Sequence, residues 1–572
     1  MRNFEVANVF KEIADILEIK DENPFRIRAY RRAAQNIEAL TEAVEELAQR
    51  GDLEKVPGIG KDLALKVQEV LSTGGLKYLE NLKKEIPESL VEFLSIPGMG
   101  PKTAKLLYDQ LGVDSVEKLE ELAKGHKLQG LPGIRAKTEE NILRGIELYK
   151  KGRERMSLGK ALPLAQEIIA QLQALPEVNR LSFAGSLRRM KETVKDIDIL
   201  VTSENPAKVM GVFASLPLVQ EVLARGETKC SVILKEGIQA DLRVVDPESF
   251  GAALQYFTGS KAHNIRTREL AVRKGLKLSE YGVFSDADGR RLGGALEEDM
   301  YAALGLSLIP PELREDTGEI EAALEGRLPK LVEYSEIKGD LHVHSHWSDG
   351  AHSLEELAEA AIRKGYEYLL IADHSKSMGI ARGLSEEELH QQVQEIQALN
   401  KKFKGFCLLA GIEVDIRADG TLDFPDDVLA QLDIVVAAIH SGFKQAKETM
   451  TKRIVKVMEN PHVHIIAHPT GRLIGEREGY ELDWEEVLRC ARETNTALEI
   501  NSYPARLDLN DLNSRRAKEA GVSMTISTDA HTISQLETMT LGVATARRGW
   551  LTKGDLLNTL SARDLLKRIS KK

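Results

Sequence analysis

Residues 185–201 read Gly-Ser-Leu-Arg-Arg-Met-Lys-Glu-Thr-Val-Lys-Asp-Ile-Asp-Ile-Leu-Val. The last six, Asp196 to Val201, alternate and then run β-branched, which predicts a strand. Side chains two apart on a strand share a face, so Asp196 and Asp198 point one way while Ile197 and Ile199 enter the core. Asp241 stands in another predicted strand, residues 239–246, and completes a trio of carboxylates. Such an all-oxygen cage suits Mg²⁺ or Mn²⁺ and holds two divalent ions about 4 Å apart. Gly185 lets a backbone approach phosphate, Ser186 offers a hydrogen bond, and Arg188 or Arg189 supplies charge. Strands over 181–186 and 230–236 and helices over 162–175 and 206–216 complete an α+β unit at 158–250.

Toward the N-terminus the pattern becomes helical, with the same punctuation three times. The segments are Val56-Pro57-Gly58-Ile59-Gly60, Ile96-Pro97-Gly98-Met99-Gly100 and Leu131-Pro132-Gly133-Ile134-Arg135. Each predicts a tight hairpin between helices whose backbone N–H groups face a phosphate and read no sequence. The third copy departs, with Arg135 in place of the second glycine. Candidate DNA contacts are Gly58, Gly60, Gly98 and Gly100, with Arg28 and Tyr30 in the basic stretch Arg26 to Arg32.

Toward the C-terminus, seven strands alternate with amphipathic helices: 340–345, 368–374, 407–416, 433–440, 463–469, 497–502 and 522–531. That alternation predicts a parallel sheet, closed as a barrel or doubly wound. Eleven of the thirteen histidines lie beyond residue 341, where even placement would put about five. His342, His344, Asp349, His374, Glu413, His440, His468, Asp529 and His531 form the candidate ligand set. In every strand but 497–502 such a residue sits at or near the C-terminal end, where barrels of this kind place their chemistry. Mostly imidazole, the set suits Mn²⁺, Zn²⁺ or Fe²⁺, and nine ligands can hold up to three ions. Two sites of such different character predict two reactions. Arg382 and Arg472, each shortly after a ligand strand, are candidates for gripping DNA phosphate.

Composition sets the frame. The chain of 572 residues is 42% hydrophobic and 29% charged, which predicts several globular domains with ample core. No apolar run reaches the length of a membrane span, and Met1 to Leu17 reads as an amphipathic helix rather than a signal peptide. Cys230, Cys407 and Cys490 are scattered, which fits a reducing cytoplasm. A net charge of −11 argues only weakly against a nucleic-acid partner, because local patches rather than totals bind DNA.

The 185–241 segment resembles the palm of a family X DNA polymerase, the DNA polymerase beta group. That family has a Gly-Ser-x-Arg-Arg turn, a paired Asp motif and a Tyr-Phe-Thr-Gly-Ser segment, here Tyr256-Phe257-Thr258-Gly259-Ser260. The order of the C-terminal ligands resembles a PHP domain (polymerase and histidinol phosphatase) over residues 338–572. Together they resemble a bacterial family X polymerase with a C-terminal PHP nuclease, nearly end to end. The resemblance implies a multidomain chain: all-α helix-hairpin-helix domains (1–90 and 91–157), an α+β nucleotidyltransferase palm (158–250) with a thumb (251–318), a linker (319–337) and a distorted, TIM-like α/β barrel (338–572). It implies that Ser186 and Arg189 hold the triphosphate, that Tyr256, Phe257 and Gly259 lie at the sugar, and that Asn264 reaches the base edge while Arg268 contacts the template. Lys66 falls where some relatives carry a Schiff-base lyase lysine, but Glu54 and Asp62 stand where those relatives have phosphate-binding lysines.

The expected activity is template-directed gap filling on gapped or nicked DNA with a 5′ phosphate. It uses dNTPs and is joined to 3′–5′ exonuclease and abasic-site cleavage in base-excision repair, in a monomeric, nucleoid-associated protein. A template-independent nucleotidyltransferase fused to a small-molecule phosphatase is the alternative, and a DNA-end scaffold with relic sites is a third. The hairpins and Tyr256-Phe257 argue against the second reading, and the complete ligand sets argue against the third.

Overall fold

The computed structural model describes residues 2–20, 22–38, 44–56, 58–73, 75–94, 96 and 99–571. The N-terminal helices are α1 (Arg2–Ile19), α2 (Pro24–Glu38), α3 (Val44–Arg50), α4 (Lys61–Thr73), α5 (Lys77–Lys84), α6 (Glu88–Leu94), α7 (Pro101–Leu111), α8 (Val116–Lys124) and α9 (Ala136–Glu154). All three hairpins form one turn: Ile59 N donates to Val56 O, Met99 N to Ile96 O and Ile134 N to Leu131 O, at 2.9–3.0 Å. Helices α4, α7 and α9 start directly after them. The turns bury Val56, Ile59, Ile96, Met99 and Ile134, which fixes the direction of each following helix. One continuous apolar core, from Val6 to Ile146, joins the segments expected as separate units at 1–90 and 91–157.

The palm adds β1 (Met156–Ser157), α10 (Leu158–Gln173), β2 (Val178–Phe183), α11 (Gly185–Arg188), β3 (Thr193–Val194), β4 (Asp196–Ser203), α12 (Pro206–Ala214), β5 (Val219–Arg225), β6 (Lys229–Leu234) and β7 (Gln239–Val244). Its five-stranded sheet runs β2-β4-β7-β6-β5, with β4 and β7 parallel. The edge strand β5 is mostly exposed and carries no alternation that sequence reasoning could use.

The thumb comprises α13 (Phe250–Thr258), α14 (Lys261–Arg273), the small sheet β8 (Leu276–Ser279), β9 (Gly282–Ser285) and β10 (Arg291–Gly293), and α15 (Glu297–Ala303). The stretch expected as a linker, 319–337, is packed at both ends. Its helix α16 (Glu319–Leu324) puts Ile320 and Ala323 into the thumb core with Tyr301 and Leu313. Buried Glu319 meets His263 Nδ1 at 2.6 Å and accepts the N–H groups of Asp316 and Thr317. Farther on, Val332 and Ile337 join the barrel core. An acidic helix with a two-residue apolar face reads as solvated until its histidine partner is in view.

The barrel contains β11 (Gly339–Val343), α17 (Leu354–Arg363), β12 (Tyr368–Ile371), α18 (Glu386–Asn400), β13 (Cys407–Asp415), α19 (Asp426–Leu429), β14 (Ile434–Ala438), α20 (Lys447–Met458), β15 (Ile465–Ile466), α21 (Trp484–Glu493), β16 (Ala497–Asn501), α22 (Asp511–Glu519), β17 (Met524–Ser527), α23 (Met539–Arg548) and α24 (Ala562–Ile569). All seven expected strands form, in sequence order and all parallel. Strands buried on both faces favour near-continuous apolar runs; β12, β14 and β15 have them, whereas β11, β16 and β17 interleave apolar residues with buried polar ones such as His342, Glu499 and Thr525. Ser353 and Ser385 start α17 and α18 with reciprocal caps from Glu356 and Glu388. The ring closes where Asp529 N donates to His342 O and His344 N to Ala530 O, with Asp340 bridging to Thr528.

Barrel and palm are docked directly. Leu507 and Leu541 enter the palm core. Gly159 lies so close to Pro504 that a Cβ there would stand 2.3 Å from the proline Cβ. The buried His263–Glu319 pair fastens the connector, and removing one partner of such a pair costs about 3–5 kcal/mol. Glu319→Ala is expected to expose 319–337 to limited proteolysis, whereas the wild-type chain resists cutting there; equal resistance in both would refute this fastening.

Candidate active sites

The β4–β7 register sets Asp198 directly beside Asp241, with Asp196 opposite Gln239. All three carboxylates therefore gather at one sheet face. Burial, and then the charges of Asp196 and Asp241, push Asp198 up to about 6. Burial works the same way on Asp241, but hydrogen bonds from Lys229, Gln239 and Ser231 hold it below the usual range. Lys229 Nζ stands 2.8 Å from Asp241 Oδ2. Sequence reasoning missed this counter-charge, whose only signal is that its strand neighbours the carboxylates. Three carboxylates on one sheet face suit a divalent cation of the Mg²⁺ type.

Gly185 has φ +62°, and a Cβ there would lie 2.5 Å from Asp198 Oδ2. A side chain at this position would displace the carboxylate. Ser186 is half-buried. Arg188 forks onto Glu297 at 2.8 and 2.6 Å, a carboxylate shared with buried Arg314. Arg189, expected at the triphosphate, donates instead to Glu315 at 2.9 Å and to Thr258 O at 2.7 Å. Tyr256 and Phe257 end helix α13 in edge contact, with Arg243 over the Phe257 ring. Asn264, expected at a base edge, spends its amide on Tyr256 O (2.7 Å) and Gly259 O (3.2 Å), bracing the turn at Gly259. Arg268 is exposed, with Nε bonded to Asn264 O.

Among the hairpins, Gly58 takes φ +80°, and a Cβ there would meet Asn36 and Arg32 at 3.3 and 3.4 Å, Gly60 and Gly100 directly precede α4 and α7, and Gly98 lies outside the described residues. Tyr30 does not face solvent: it is 3% exposed, stacked on Tyr78 and edge-on to Phe10, and burial pushes its hydroxyl up to about 12. A DNA contact by Tyr30 is therefore corrected to a core role. Arg28 is exposed over Phe25, while Arg31 pairs with Asp15 and Glu18. Lys66 lies over Tyr78 and pairs with Asp62.

At the barrel mouth all nine expected ligands converge. His344, Asp349, His374 and His531 form one group, His342, His344 and Asp529 a second, and His374, Glu413 and His440 a third; within each group, ligand atoms lie within 4.8 Å of one another. His468 Nε2 is 3.1 Å from Glu413 Oε1. His344 Nδ1 is buried without a hydrogen bond, as a metal-facing atom should be, while Glu413 Oε2 stands 2.7 Å from His374 Nδ1. Burial pushes His344 down to about 3, aided by His531 and His374. Against burial, His440, His374 and His342 hold Glu413 well below its usual range, and His342 and His344 do so for Asp529. Ligands His468 and Asp529 take left-handed backbone, φ +29° and +54°, the local strain that functional sites tolerate. The donor set fits a cluster of borderline divalent ions.

Strand β16, which carries no ligand, supplies the frame. Glu499 accepts from His342 Nδ1 at 2.8 Å and His468 N at 2.7 Å. Asn501 donates to Glu499 and Asp529, both at 3.1 Å. Asp415 lies 3.3 Å from His440 Nδ1, and Asp373 collects Ser345, Ser348 and Gln392. Sequence reasoning missed these partners, although a lone Glu inside the apolar run Ala497-Leu498-Glu499-Ile500 was a visible signal. Arg506 brings its guanidinium to 3.8 Å from Asp529. Arg472 is corrected: it bonds Arg506 O, Leu507 O and palm residue Glu192, so it staples domains rather than DNA.

Known proteins resemble this chain throughout. Residues 1–76 match a helix-hairpin-helix domain, 90–147 a SAM-like helix-hairpin-helix tandem, 253–315 a DNA polymerase beta thumb and 340–503 a PHP domain. The Bacillus subtilis protein named DNA polymerase/3′-5′ exonuclease PolX is 45% identical over 99% of both chains. Rat DNA polymerase lambda is 28% identical over 49% of this chain and 52% of its own. A probable phosphatase of Thermoanaerobacter is 30% identical over 38% of this chain and 89% of its own.

Asp198 titrates above its unfolded value near 3.9, so the folded palm binds its proton more tightly. Its contribution favours folding below that value and is lost as pH rises toward about 6. Asp198→Asn is therefore expected to raise the melting temperature of the metal-free protein by a few degrees at pH 7.5 and by little at pH 4, read by differential scanning calorimetry. At the other centre, Glu499→Gln should weaken Mn²⁺ binding by about 10–100-fold with the fold intact, measured by calorimetric titration; unaltered affinity would show that β16 does not orient the ligands.

Proposed function

The chain belongs to the family of the DNA polymerase/3′-5′ exonuclease PolX, and from that premise we propose how its two centres divide the work. It is a DNA-directed DNA polymerase and a metal-dependent 3′–5′ exonuclease. We assign synthesis to Asp196, Asp198 and Asp241 and hydrolysis to the nine-ligand cluster. The observation that carries this division is the β4–β7 register placing Asp198 beside Asp241, in a sheet separate from the barrel.

In synthesis the primer 3′ oxygen attacks the α-phosphorus of a dNTP and pyrophosphate leaves in line. Asp196, Asp198 and Asp241 would hold Mg²⁺ or Mn²⁺, which would supply activation of the attacking hydroxyl and charge for the leaving phosphates. Ser186 and Arg189 hold the triphosphate, with Arg189 exchanging Glu315 for phosphate oxygen. Gly185 leaves room for Asp198 to face the primer end. Tyr256, Phe257 and Gly259 border the sugar, Asn264 turns from its carbonyl partners to the base edge, and Arg268 meets the template. Residues Gly58, Gly60, Gly98 and Gly100, with Arg28, follow the DNA backbone through their hairpins and helix starts.

In the barrel, up to three Mn²⁺, Zn²⁺ or Fe²⁺ ions, when bound, activate a water. His344 and His374 are each shared by two of the ligand groups, Glu413 and Asp529 would supply the negative charge that offsets the ions, and Arg506 would offer donors to the phosphate. The substrate is gapped or nicked DNA with a 5′ phosphate, and the setting is base-excision repair by a monomer at the nucleoid. The paired hairpins favour this over a small-molecule phosphatase. Abasic-site cleavage belongs to the same cluster, and lyase chemistry at Lys66 would have to draw its amine out of the pair with Asp62.

Asp198→Ala is expected to reduce nucleotide insertion on a gapped duplex to background while 3′–5′ digestion continues. His344→Ala should do the reverse. Loss of both activities from either folded variant would sink the division of labour.

A further inference from the structure

The barrel does more than carry its own centre: α23 reaches into the palm turn that bears Arg189. Arg548, the last residue of α23, is 5% exposed at its side chain. Its Nη1 donates to Arg189 O at 2.8 Å and to Glu315 Oε1 at 3.2 Å. Its Nε and Nη2 are clamped by Asp511 Oδ2 of α22 at 2.9 and 2.6 Å. The same Glu315 oxygen accepts from Arg189 Nε at 2.9 Å and lies 3.8 Å from Lys191 Nζ. Three cations thus compete for one carboxylate oxygen, and one of them comes from the other domain.

We propose that Arg548 is a positioning residue of the polymerase centre, through which the barrel sets how readily Arg189 leaves Glu315 for the triphosphate. The reasoning is electrostatic. A carboxylate shared among several cations holds each of them less tightly than it would hold one. Removing Arg548 leaves Glu315 to Arg189 and Lys191 alone, so Arg189 is bound more firmly and is less available to phosphate. The lost bond to Arg189 O also frees the chain just after α11, where Arg189 N bonds Gly185 O and Lys191 N bonds Ser186 O. Both effects weaken dNTP binding and leave the carboxylates that drive the chemical step in place. A lysine at 548 keeps the charge but cannot engage Asp511, Glu315 and the carbonyl together, because only the guanidinium fork presents donors in several directions. Neither Arg548 nor Asp511 belongs to the nine-ligand set.

This inference rests on Arg189 being a triphosphate ligand, so the experiment tests both. Single-nucleotide insertion on a gapped duplex is measured with the full chain for wild type, Arg189→Ala, Arg548→Met, Arg548→Lys, Asp511→Asn and Arg548→Met with Glu315→Gln. Arg548→Met should raise the dNTP KM about tenfold, as expected for coupled contacting residues. Its kcat, and exonuclease kcat/KM, should stay within about twofold. Arg548→Lys and Asp511→Asn should fall between it and wild type, and Glu315→Gln should restore much of the lost affinity by removing the competing carboxylate. If Arg189→Ala leaves KM unchanged, the triphosphate reading fails. If Arg189→Ala raises KM but Arg548→Met does not, the positioning role fails alone. A parallel drop in both activities with a lowered melting temperature, unrescued by Glu315→Gln, would make Arg548 a structural staple and overturn the proposal.

Discussion

Like charges brought together out of water are the constraint around which this molecule is built. Burial first, and then the charges of Asp196 and Asp241, make Asp198 costly to ionise beside its neighbour on β7. The barrel faces the same difficulty with more groups, and it mixes imidazoles among the acids so that Glu413 and Asp529 remain charged at low cost. Each centre needs a stiff scaffold, because crowded charges would otherwise drift apart. Strand pairing provides it in the palm, and the hydrogen-bonded collar of Glu499, Asn501, Asp415 and Asp373 provides it in the barrel.

Much of this was legible in the sequence, for identifiable reasons. Period-two spacing placed Asp196 and Asp198 on one face, and strand-end position gathered the nine barrel ligands. Both signals are local, and the backbone repeats them faithfully. The collar was less legible, since Glu499 touches His342 across 157 residues of chain and only its apolar surroundings hint at burial. Arg189 and Asn264 illustrate a different limit: their residue types suggest phosphate and base, but Arg189 bonds a carboxylate and Asn264 a carbonyl, partners that lie far along the chain or in a turn. Tyr30 was readable and misread. It shares one helical face with Ala33, Ala34 and Ile37, all buried, and that stripe outweighs the arginines around it.

The adjacent arginines of the palm turn show how sequence neighbours acquire unlike environments. Arg188 points to Glu297, shared with Arg314, and Arg189 points to Glu315, shared with Arg548. One pair lies wholly within palm and thumb, while the other draws in the barrel. A short turn therefore senses three domains at once. The staple of Arg472 on Glu192 and the apolar entry of Leu507 and Leu541 keep that junction aligned.

The connector at 319–337, buried at one end against His263 and at the other in the barrel core, has a mechanical meaning. A slack tether would give the nuclease an effective concentration at the primer set by chain statistics. A strut fastened at both ends leaves no slack, so the separation of the two centres is a fixed length of the molecule. Any 3′ end that passes from one to the other must cover that distance by its own bending and unpairing, and the freedom to travel resides in the nucleic acid.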